Sequence, residues 1–321
     1  MKPFWGEHPE LAGELGRVKE EILSRTGRAD GDVPASVQRL VASNGKMLRP
    51  AFLLLAASFG TPNAGKVRRL GAAIEMLHMA TLVHDDIIDE ATVRRGVETL
   101  HSLSGPRAAV LIGDWLFAGS FSLISEHADL DNARGLAGLV SQICSSEIRQ
   151  SAGRFSVDPS VRRYIRTIAG KTALLFSLSF FIGARESGVP PDVCQTLRRL
   201  GYSLGMGFQI IDDILDFEGS GAETGKPTGC DLVQGIFTLP VVLGLRADDG
   251  ALAAELARKP YSPDAIARIV RLIGERGGVE GARRHALAYT ERSRREIARL
   301  PDTEARRTLA SIAEKLLHRM Y

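Results

Sequence analysis

The sequence has few aromatic residues, few cysteines and little net charge. Aromatic side chains make up 6% of its 321 residues, and the alternating β-branched pattern of strands is nearly absent, which argues against a β-rich fold. Three cysteines (Cys144, Cys194 and Cys230) lack metal-ligand spacing, so we expect reduced thiols in a cytoplasmic protein. With 41 basic and 38 acidic residues interspersed along the chain, no nucleic-acid surface is indicated.

Long uninterrupted apolar runs are also missing, so we predict no membrane span, and the N-terminus lacks the apolar core of a signal peptide. What the chain does have is a hydrophobic fraction of 44%, enough for a sizeable core. Apolar residues recur three to four apart, as in Leu11, Leu15, Val18 and Ile22, which is typical of amphipathic helices. We therefore predict an all-α protein and a single domain over residues 1–321.

The most informative stretch places three aspartates within an apolar segment, followed by two arginines. On a helix predicted over residues 67–92, Asp85 and Asp89 lie four residues apart, so their carboxylates share one face. Mg²⁺ suits such a pair, because it binds through one or two carboxylates and completes its shell with substrate phosphates. Arg94 and Arg95 follow, and their forked donors match phosphate oxygens. The stretch predicts a metal-assisted diphosphate site.

A second acid motif repeats this spacing. Asp212, Asp213 and Asp216 lie in another apolar run, on a helix predicted over residues 192–218. A single motif of this kind is more often a solvated helix face than a metal site. Two of them inside apolar helices are costly to bury without compensating charge, so the pair favours a functional interpretation.

Six short motifs follow one another along the chain. They are Gly45-Lys46-Met47-Leu48-Arg49-Pro50, the first acid motif with Arg94-Arg95-Gly96, Glu147-Ile148-Arg149-Gln150, Lys171-Thr172, the second acid motif, and Gly225-Lys226-Pro227. Each motif alone is weak, but their order is highly specific. From about Asn44 to Pro240 the chain resembles the trans-type polyprenyl (isoprenyl) diphosphate synthases.

This resemblance implies a fold, a reaction and a cofactor. The fold would be a large antiparallel helical bundle of the isoprenoid synthase type around a central cavity. The reaction would be head-to-tail condensation of an allylic prenyl diphosphate with isopentenyl diphosphate, with Mg²⁺ neutralising charge as the C–O bond ionises. The expected assembly is a homodimer. The expected metal ligands are Asp85, Asp89, Asp212 and Asp216.

The resemblance also assigns residues to the two substrates. Those expected to bind isopentenyl diphosphate are Lys46, Arg49, His78 and Arg95. Those expected at the allylic diphosphate are Arg94, Lys171, Thr172 and Lys226, the last in a glycine-rich segment that would close over the ligand. Gln209 is also expected to bind substrate. The expected catalytic set is Asp85, Asp89, Arg94, Lys171 and Asp212.

Small side chains near the first acid motif predict a long product. Ala80 and Thr81 lie about one turn before Asp85, where short-chain members of the family commonly place a bulky aromatic floor. Without that floor, the growing tail is expected to continue past Leu77. The expected product is C20 or longer, and about C30–C50.

Three positions depart from the family pattern. Ser146 and Asn44 stand where the family usually or often has a glycine, and Ile236 stands where many short-chain members carry a lysine. Of the alternatives, a class I terpene cyclase would have a different second metal motif, and a non-catalytic subunit would typically lose its acids. A catalytic subunit that needs a small partner stays open.

Overall fold

The computed structural model describes residues 4–29, 31–43, 45–94, 96–218 and 229–317, and nearly all of its regular structure is helical. The predicted all-α fold class is confirmed, and all three cysteines are free. The α-helices are α1 (Pro9–Arg25), α2 (Val33–Ser43), α3 (Leu48–Ala57), α4 (Ala64–Ile88), α5 (Leu100–His127), α6 (Leu130–Ala152), α7 (Val161–Ile168), α8 (Leu174–Arg185), α9 (Pro191–Glu218), α10 (Cys230–Val233), α11 (Leu239–Arg246), α12 (Ala251–Leu256), α13 (Pro263–Glu275), α14 (Gly278–Ala298) and α15 (Glu304–Leu317). A 3₁₀ turn (Thr26–Arg28) follows α1, and a π-helix (Ala169–Ala173) joins α7 to α8.

Local side-chain caps fix where several helices begin. Asn63, Thr99 and Ser160 each accept a hydrogen bond from the backbone N–H three residues further on, at the starts of α4, α5 and α7. Such caps satisfy backbone donors that have no partner inside the helix. Inside α5, Gly105 has a positive φ of 80° and precedes Pro106, so the helix is interrupted there.

The chain forms two compact units, and the first comprises the residues up to Leu136, Leu178–Arg198 and Pro301–Thr308. Helix α4 is its centre and packs against α1, α3 and α5. Leu70, Ile74, Leu77 and Ala80 of α4 are fully buried. A helix that is apolar nearly all round belongs in a core, so α4 is held on several sides up to its acid motif.

The second unit comprises Ala137–Ser177, Arg199–Leu300 and the residues from Leu309 onward. Helix α11 packs against α7, α13 and α14 there. Its core includes Phe217 at the end of α9 together with Leu232, Val241, Ile269 and Ile273. The second acid motif therefore lies on a helix whose end is anchored in a core. The expectation of a single domain stays a prediction.

The first acid helix ends earlier than predicted. Helix α4 stops at Ile88, and Asp89 is its C-cap residue, while the prediction extended the helix to residue 92. The chain then forms a short antiparallel hairpin in which Val93–Arg94 pairs with Val97–Glu98. Glu90 has a positive φ of 51°, which a helix does not allow, and this turns the chain out of α4.

Two helical stretches, Leu100–His127 and Val161–Arg185, are long and apolar enough by length and composition to cross a membrane. Glycines and polar residues interrupt both stretches, so neither is an uninterrupted apolar run, and their mean hydropathy is 1.6 and 1.5. The absence of a membrane span stays a prediction. In the second stretch 72% of the apolar window is buried within the protein, and in the first 39%. A core helix passes the same test of length and hydropathy.

Candidate active site

The first acid motif holds its middle carboxylate against an arginine. Asp86, in the last turn of α4, is 6% exposed and accepts a hydrogen bond from Arg94 Nε at 2.6 Å. Burial raises the pKa of Asp86, and the Arg94 guanidinium opposes that rise. Asp85 and Asp89 are more exposed than Asp86. The two outer acids are thus the ones placed to reach a ligand.

The hairpin after α4 brings Arg94 to this position. Thr99 donates from its hydroxyl to the carbonyl of Ala91 at 2.6 Å and from its backbone N–H to the carbonyl of Thr92 at 3.0 Å. These bonds fold the strand that carries Arg94 back over the end of α4. Arg94 Nε donates to Asp86, and the predicted contact of Arg94 with the allylic diphosphate stays a prediction. Arg95 lies outside the described residues.

Lys46, expected at the isopentenyl diphosphate, is held by an aromatic pair that the sequence did not single out. The Trp5 indole donates to the Lys46 carbonyl at 2.8 Å, and the Lys46 ammonium lies 4.6 Å from the centroid of the Phe4 ring. Arg49 is partly buried in the first turn of α3. His78 is partly exposed on α4, and its carbonyl accepts from the Thr81 hydroxyl.

The second acid motif holds its middle carboxyl with neutral donors. Asp213 is 4% exposed and accepts from the Tyr164 hydroxyl at 2.6 Å and from Gln209 Nε2 at 2.9 Å. Burial raises the pKa of Asp213 to about 8, and Asp231 adds to the rise. Asp212 is exposed. As in the first motif, the middle residue faces the protein and its neighbour faces outward.

The π-helix presents the predicted Lys171-Thr172 pair. Lys171 Nζ lies 3.5 Å from the Glu147 carboxylate, and the Thr172 hydroxyl donates to Gln209 Oε1 at 2.7 Å. Helical irregularities of this kind frequently occur at functional sites. The sequence interpretation placed an irregularity after Gly170, and the structure confirms it there.

Asp216, predicted as a metal ligand, makes contacts that also anchor the chain locally. Its carboxylate accepts from the backbone N–H groups of Cys230 at 3.1 Å and Asp231 at 3.3 Å, at the start of α10. These bonds satisfy backbone donors at a helix N-terminus. Lys226 and the glycine-rich segment predicted to close over the ligand lie outside the described residues.

The residues assigned to chain length lie in or beside a tight α4–α5 contact. Leu77 and Ala80 are fully buried, and Thr81 is partly exposed. A Cβ atom added to Gly119 of α5 would lie 2.4 Å from Met76 Cε, so the Met76 side chain occupies the space left by that glycine. The structure thus places a flexible thioether, rather than an aromatic ring, next to the predicted path of the tail.

The donor set of the outer acids fits a hard divalent cation. Asp85, Asp89 and Asp212 offer carboxylate oxygens, which such cations prefer. Within the described part of the chain, no group of three or more His, Cys, Asp or Glu side chains could hold a metal ion by itself. Mg²⁺ sites at phosphates commonly use one or two carboxylates from the protein and oxygens from the substrate.

Comparisons with known proteins decide the family. The family model for polyprenyl synthetase matches residues 32–273, most of the chain. The chain belongs to the polyprenyl synthetase family. A relative from Geobacillus stearothermophilus, the heptaprenyl diphosphate synthase component 2, is 37% identical over 94% of this chain and 95% of its own length. The sequence resemblance is confirmed.

Solved structures of this family share the fold over the full length of this polyprenyl synthetase. A decaprenyl diphosphate synthase from Rhodobacter capsulatus is 32% identical, with a TM-score of 0.92, and covers 99% of this chain and 100% of that one. A polyprenyl synthase from Caulobacter crescentus, complexed with calcium and isoprenyl diphosphate, is 30% identical, with a TM-score of 0.89, and covers 97% and 96%. The chain is a prenyltransferase of the long-chain trans-polyprenyl diphosphate synthases, as the sequence predicted. The roles of individual residues stay predictions.

The sequence interpretation missed Tyr164, Phe4 and Trp5. A signal for Tyr164 was present: it lies four residues before Ile168, so the pair forms a helix face, and these two are the buried residues of α7. For Phe4 and Trp5, a pair of aromatics close to the N-terminus of an aromatic-poor chain was the available signal.

Proposed function

We propose that this polyprenyl synthetase is a Mg²⁺-dependent enzyme that condenses an allylic prenyl diphosphate with isopentenyl diphosphate, head to tail. The observation that supports this best is the shared arrangement of the two acid motifs. In each, the protein holds the middle carboxyl of the motif, at Asp86 and Asp213. The outer acids Asp85, Asp89, Asp212 and Asp216 are our proposed metal ligands, and bound Mg²⁺ would supply charge neutralisation at the leaving diphosphate.

The residues of the chain bind, orient and stabilise charge. Lys171, Thr172, Arg94 and Lys226 hold the allylic diphosphate, and Lys46, Arg49, His78 and Arg95 hold isopentenyl diphosphate. When the allylic C–O bond breaks, the double bond of isopentenyl diphosphate attacks the allylic carbon, and a new C–C bond forms. The departing diphosphate takes the proton that the adduct then loses. Catalysis on this scheme is mostly positioning and electrostatics.

We propose a product of C20 or longer, in the range of about C30–C50. Two features support it: the small side chains at Ala80 and Thr81, and the flexible Met76 against Gly119. Names of full-length relatives, heptaprenyl and decaprenyl diphosphate synthase, agree with a long product. The test is to incubate the purified chain with Mg²⁺, isopentenyl diphosphate and farnesyl diphosphate and to size the dephosphorylated products. A ladder reaching C30 or beyond is expected, and termination at C20 would contradict the range.

A homodimer of a cytoplasmic enzyme is the proposed assembly. Helix α5 leaves apolar side chains in the open: Leu111 is 62% exposed, and Val110 and Phe121 are 40% and 39% exposed. Val110 and Phe121 are eleven residues apart, about three turns, and so share one face that a second copy could cover. Size-exclusion chromatography with light scattering should give twice the chain mass, and Leu111→Glu should shift it toward the monomer.

A heteromeric synthase is the second candidate assembly, and the name "component 2" of the Geobacillus relative favours it. In that case this chain would be the catalytic subunit and would need a small partner, with Mg²⁺ and both substrates bound as above. The same incubation separates the two. Elongation of farnesyl diphosphate by the purified chain alone supports an autonomous enzyme. Elongation only after addition of a partner purified with the chain from its native host supports the heteromer.

A further inference from the structure

A continuous set of buried and partly buried hydrogen bonds joins α7, α9 and the π-helix in the second unit. The Tyr164 hydroxyl donates to Asp213 Oδ2 at 2.6 Å, and Gln209 Nε2 donates to Asp213 Oδ1 at 2.9 Å. The Thr172 hydroxyl donates to Gln209 Oε1 at 2.7 Å. Both ends of the Gln209 amide are therefore bonded to the protein, although Gln209 was expected to bind substrate.

Three of the four groups are buried and Gln209 is partly buried, so their geometry is restricted. Asp213 is 4% exposed, Thr172 is 5% exposed and Tyr164 is 7% exposed. A buried carboxyl or amide that loses a partner pays a desolvation penalty, which favours keeping every bond of the set formed at once. Moving one member would disturb the next.

Close packing supports the same arrangement. A Cβ atom on Gly205 would lie 2.5 Å from the Cα atom of Ala173, so the glycine lets α9 approach the π-helix backbone. Gly205 is one helical turn before Gln209, which places that amide next to Thr172. A Cβ atom on Gly170 would overlap with Ser146 Oγ, so α6 packs equally closely on the other side.

We propose that Tyr164 is a positioning residue of the allylic diphosphate site: its phenol fixes Asp213, and Asp213 acts through Gln209 to orient Thr172 and the π-helix that carries Lys171. The inference rests on the proposed function, which assigns Lys171 and Thr172 to that diphosphate. On this proposal Gln209 connects Asp213 of α9 to Thr172 of the π-helix. Tyr164, which lies outside all the sequence motifs, becomes part of the site.

The test compares Tyr164→Phe with Tyr261→Phe in the full-length protein. Tyr261 is a matched control, because its hydroxyl also makes one hydrogen bond, to the Leu256 carbonyl at 2.7 Å, without any link to this set. We expect Y164F to lower kcat/KM for farnesyl diphosphate about tenfold, near the upper end of what one buried hydrogen bond contributes. The KM for isopentenyl diphosphate should not change, and Y261F should match the wild type in both.

A double-mutant cycle with Asp213→Ala tests whether Tyr164 acts through Asp213, because alanine removes the acceptor of the Tyr164 hydroxyl. Affinity for a non-reacting analogue, farnesyl thiodiphosphate with Mg²⁺, is measured by calorimetry, so the cycle is readable even if D213A is inactive. In the D213A background, Y164F should change the affinity less than about twofold, since the partner it acts through is already absent. A full tenfold loss there would overturn the proposal.

Two other outcomes would also overturn it. One is wild-type kcat/KM for farnesyl diphosphate in Y164F. The other is an equal rise of both substrates' KM values with a lowered melting temperature, as expected for a purely structural role. An inactive wild-type chain would instead count against the proposed function, so failure of the function and failure of this inference can be told apart.

Discussion

The two acid motifs have the same spacing but different surroundings. Asp86 faces a guanidinium eight residues away along the chain, whereas Asp213 faces a phenol 49 residues away and an amide on its own helix. The first pair is ionic and partly open, since the Arg94 side chain is 36% exposed. The hydrogen bonds around Asp213 join neutral groups and are largely enclosed by the protein. The shared spacing thus turns the middle acid of each motif toward the protein, while other parts of the chain supply its hydrogen-bond partners.

Substitutions of the outer acids should have the largest effect on activity. Asp85→Asn and Asp212→Asn remove one proposed metal-binding carboxylate from each motif, and we expect kcat to fall by at least about 100-fold in either variant. The assay is incorporation of labelled isopentenyl diphosphate at saturating Mg²⁺ and farnesyl diphosphate.

Asp114→Asn is the control for this pair, because Asp114 is a 63% exposed acid on α5 outside both motifs. It should keep wild-type activity. If D212N retained more than a tenth of the activity while D85N did not, the two motifs would not share one role.

Alanine substitutions at Gly205 and Gly119 should give the next largest effects, and the two effects should differ. Gly205 faces the backbone of Ala173, which cannot yield, so Gly205→Ala should cost about 2 kcal/mol of unfolding free energy and lower activity by displacing the π-helix. Gly119 faces the end of Met76, so Gly119→Ala should cost under about 1 kcal/mol, because a thioether adapts its rotamer. The displaced Met76 should shorten the product.

Denaturant unfolding and product sizing measure both effects. Gly135→Ala is the matched control, since a Cβ atom there meets nothing within 4 Å on the exposed side of α6. It should stabilise the protein by about 0.5–1 kcal/mol through helix propensity. Equal losses in G205A and G119A would contradict the distinction between a rigid and a flexible neighbour.

Replacing each middle acid with asparagine compares the ionic surroundings of Asp86 with the neutral surroundings of Asp213. Asp86→Asn leaves the Arg94 guanidinium with a neutral acceptor, and we expect a loss of about 1.5 kcal/mol. Asp213→Asn can keep both bonds if the Tyr164 hydroxyl turns to accept, so its loss should stay within about 0.5 kcal/mol. Urea unfolding without metal compares them. A loss in D213N as large as that in D86N would show that the two surroundings are equivalent.

The difference between the motifs also explains which features of the structure could be predicted from the sequence. Helices, acid motifs and the irregularity near Gly170 follow from local patterns: apolar spacing, caps and short motifs. Arg94 could be picked out because it lies in the same motif as Asp86, although its bond to that acid was not foreseen. Tyr164 could not, because its partner Asp213 is distant in sequence and is brought near only by helix packing.

One helix boundary was predicted wrongly. The end of α4 depends on the positive φ of Glu90 and on the hairpin bonds of Thr99, which involve tertiary contacts rather than helix propensity. The error concerns the chain that surrounds the first acid motif.

The smallest expected effect comes from a partly exposed ion pair, Glu14–Arg68, which serves as a reference for the Asp86–Arg94 pair. Glu14 of α1 accepts from Arg68 of α4 at 2.6 and 2.9 Å, and this hydrogen bonding lowers the pKa of Glu14. A carboxylate with a lowered pKa adds stability above its unfolded pKa and loses it as the pH falls through the folded one. Glu14→Gln should therefore cost about 0.5 kcal/mol at pH 7, and the difference should vanish as the pH falls below the lowered pKa of Glu14 in the folded protein. Exposed Glu10→Gln, in the first turn of the same helix, should cost no more than about 0.3 kcal/mol at pH 7, through the helix dipole alone. A loss in E14Q as large as that in D86N would mean that burial adds nothing to the Asp86–Arg94 pair.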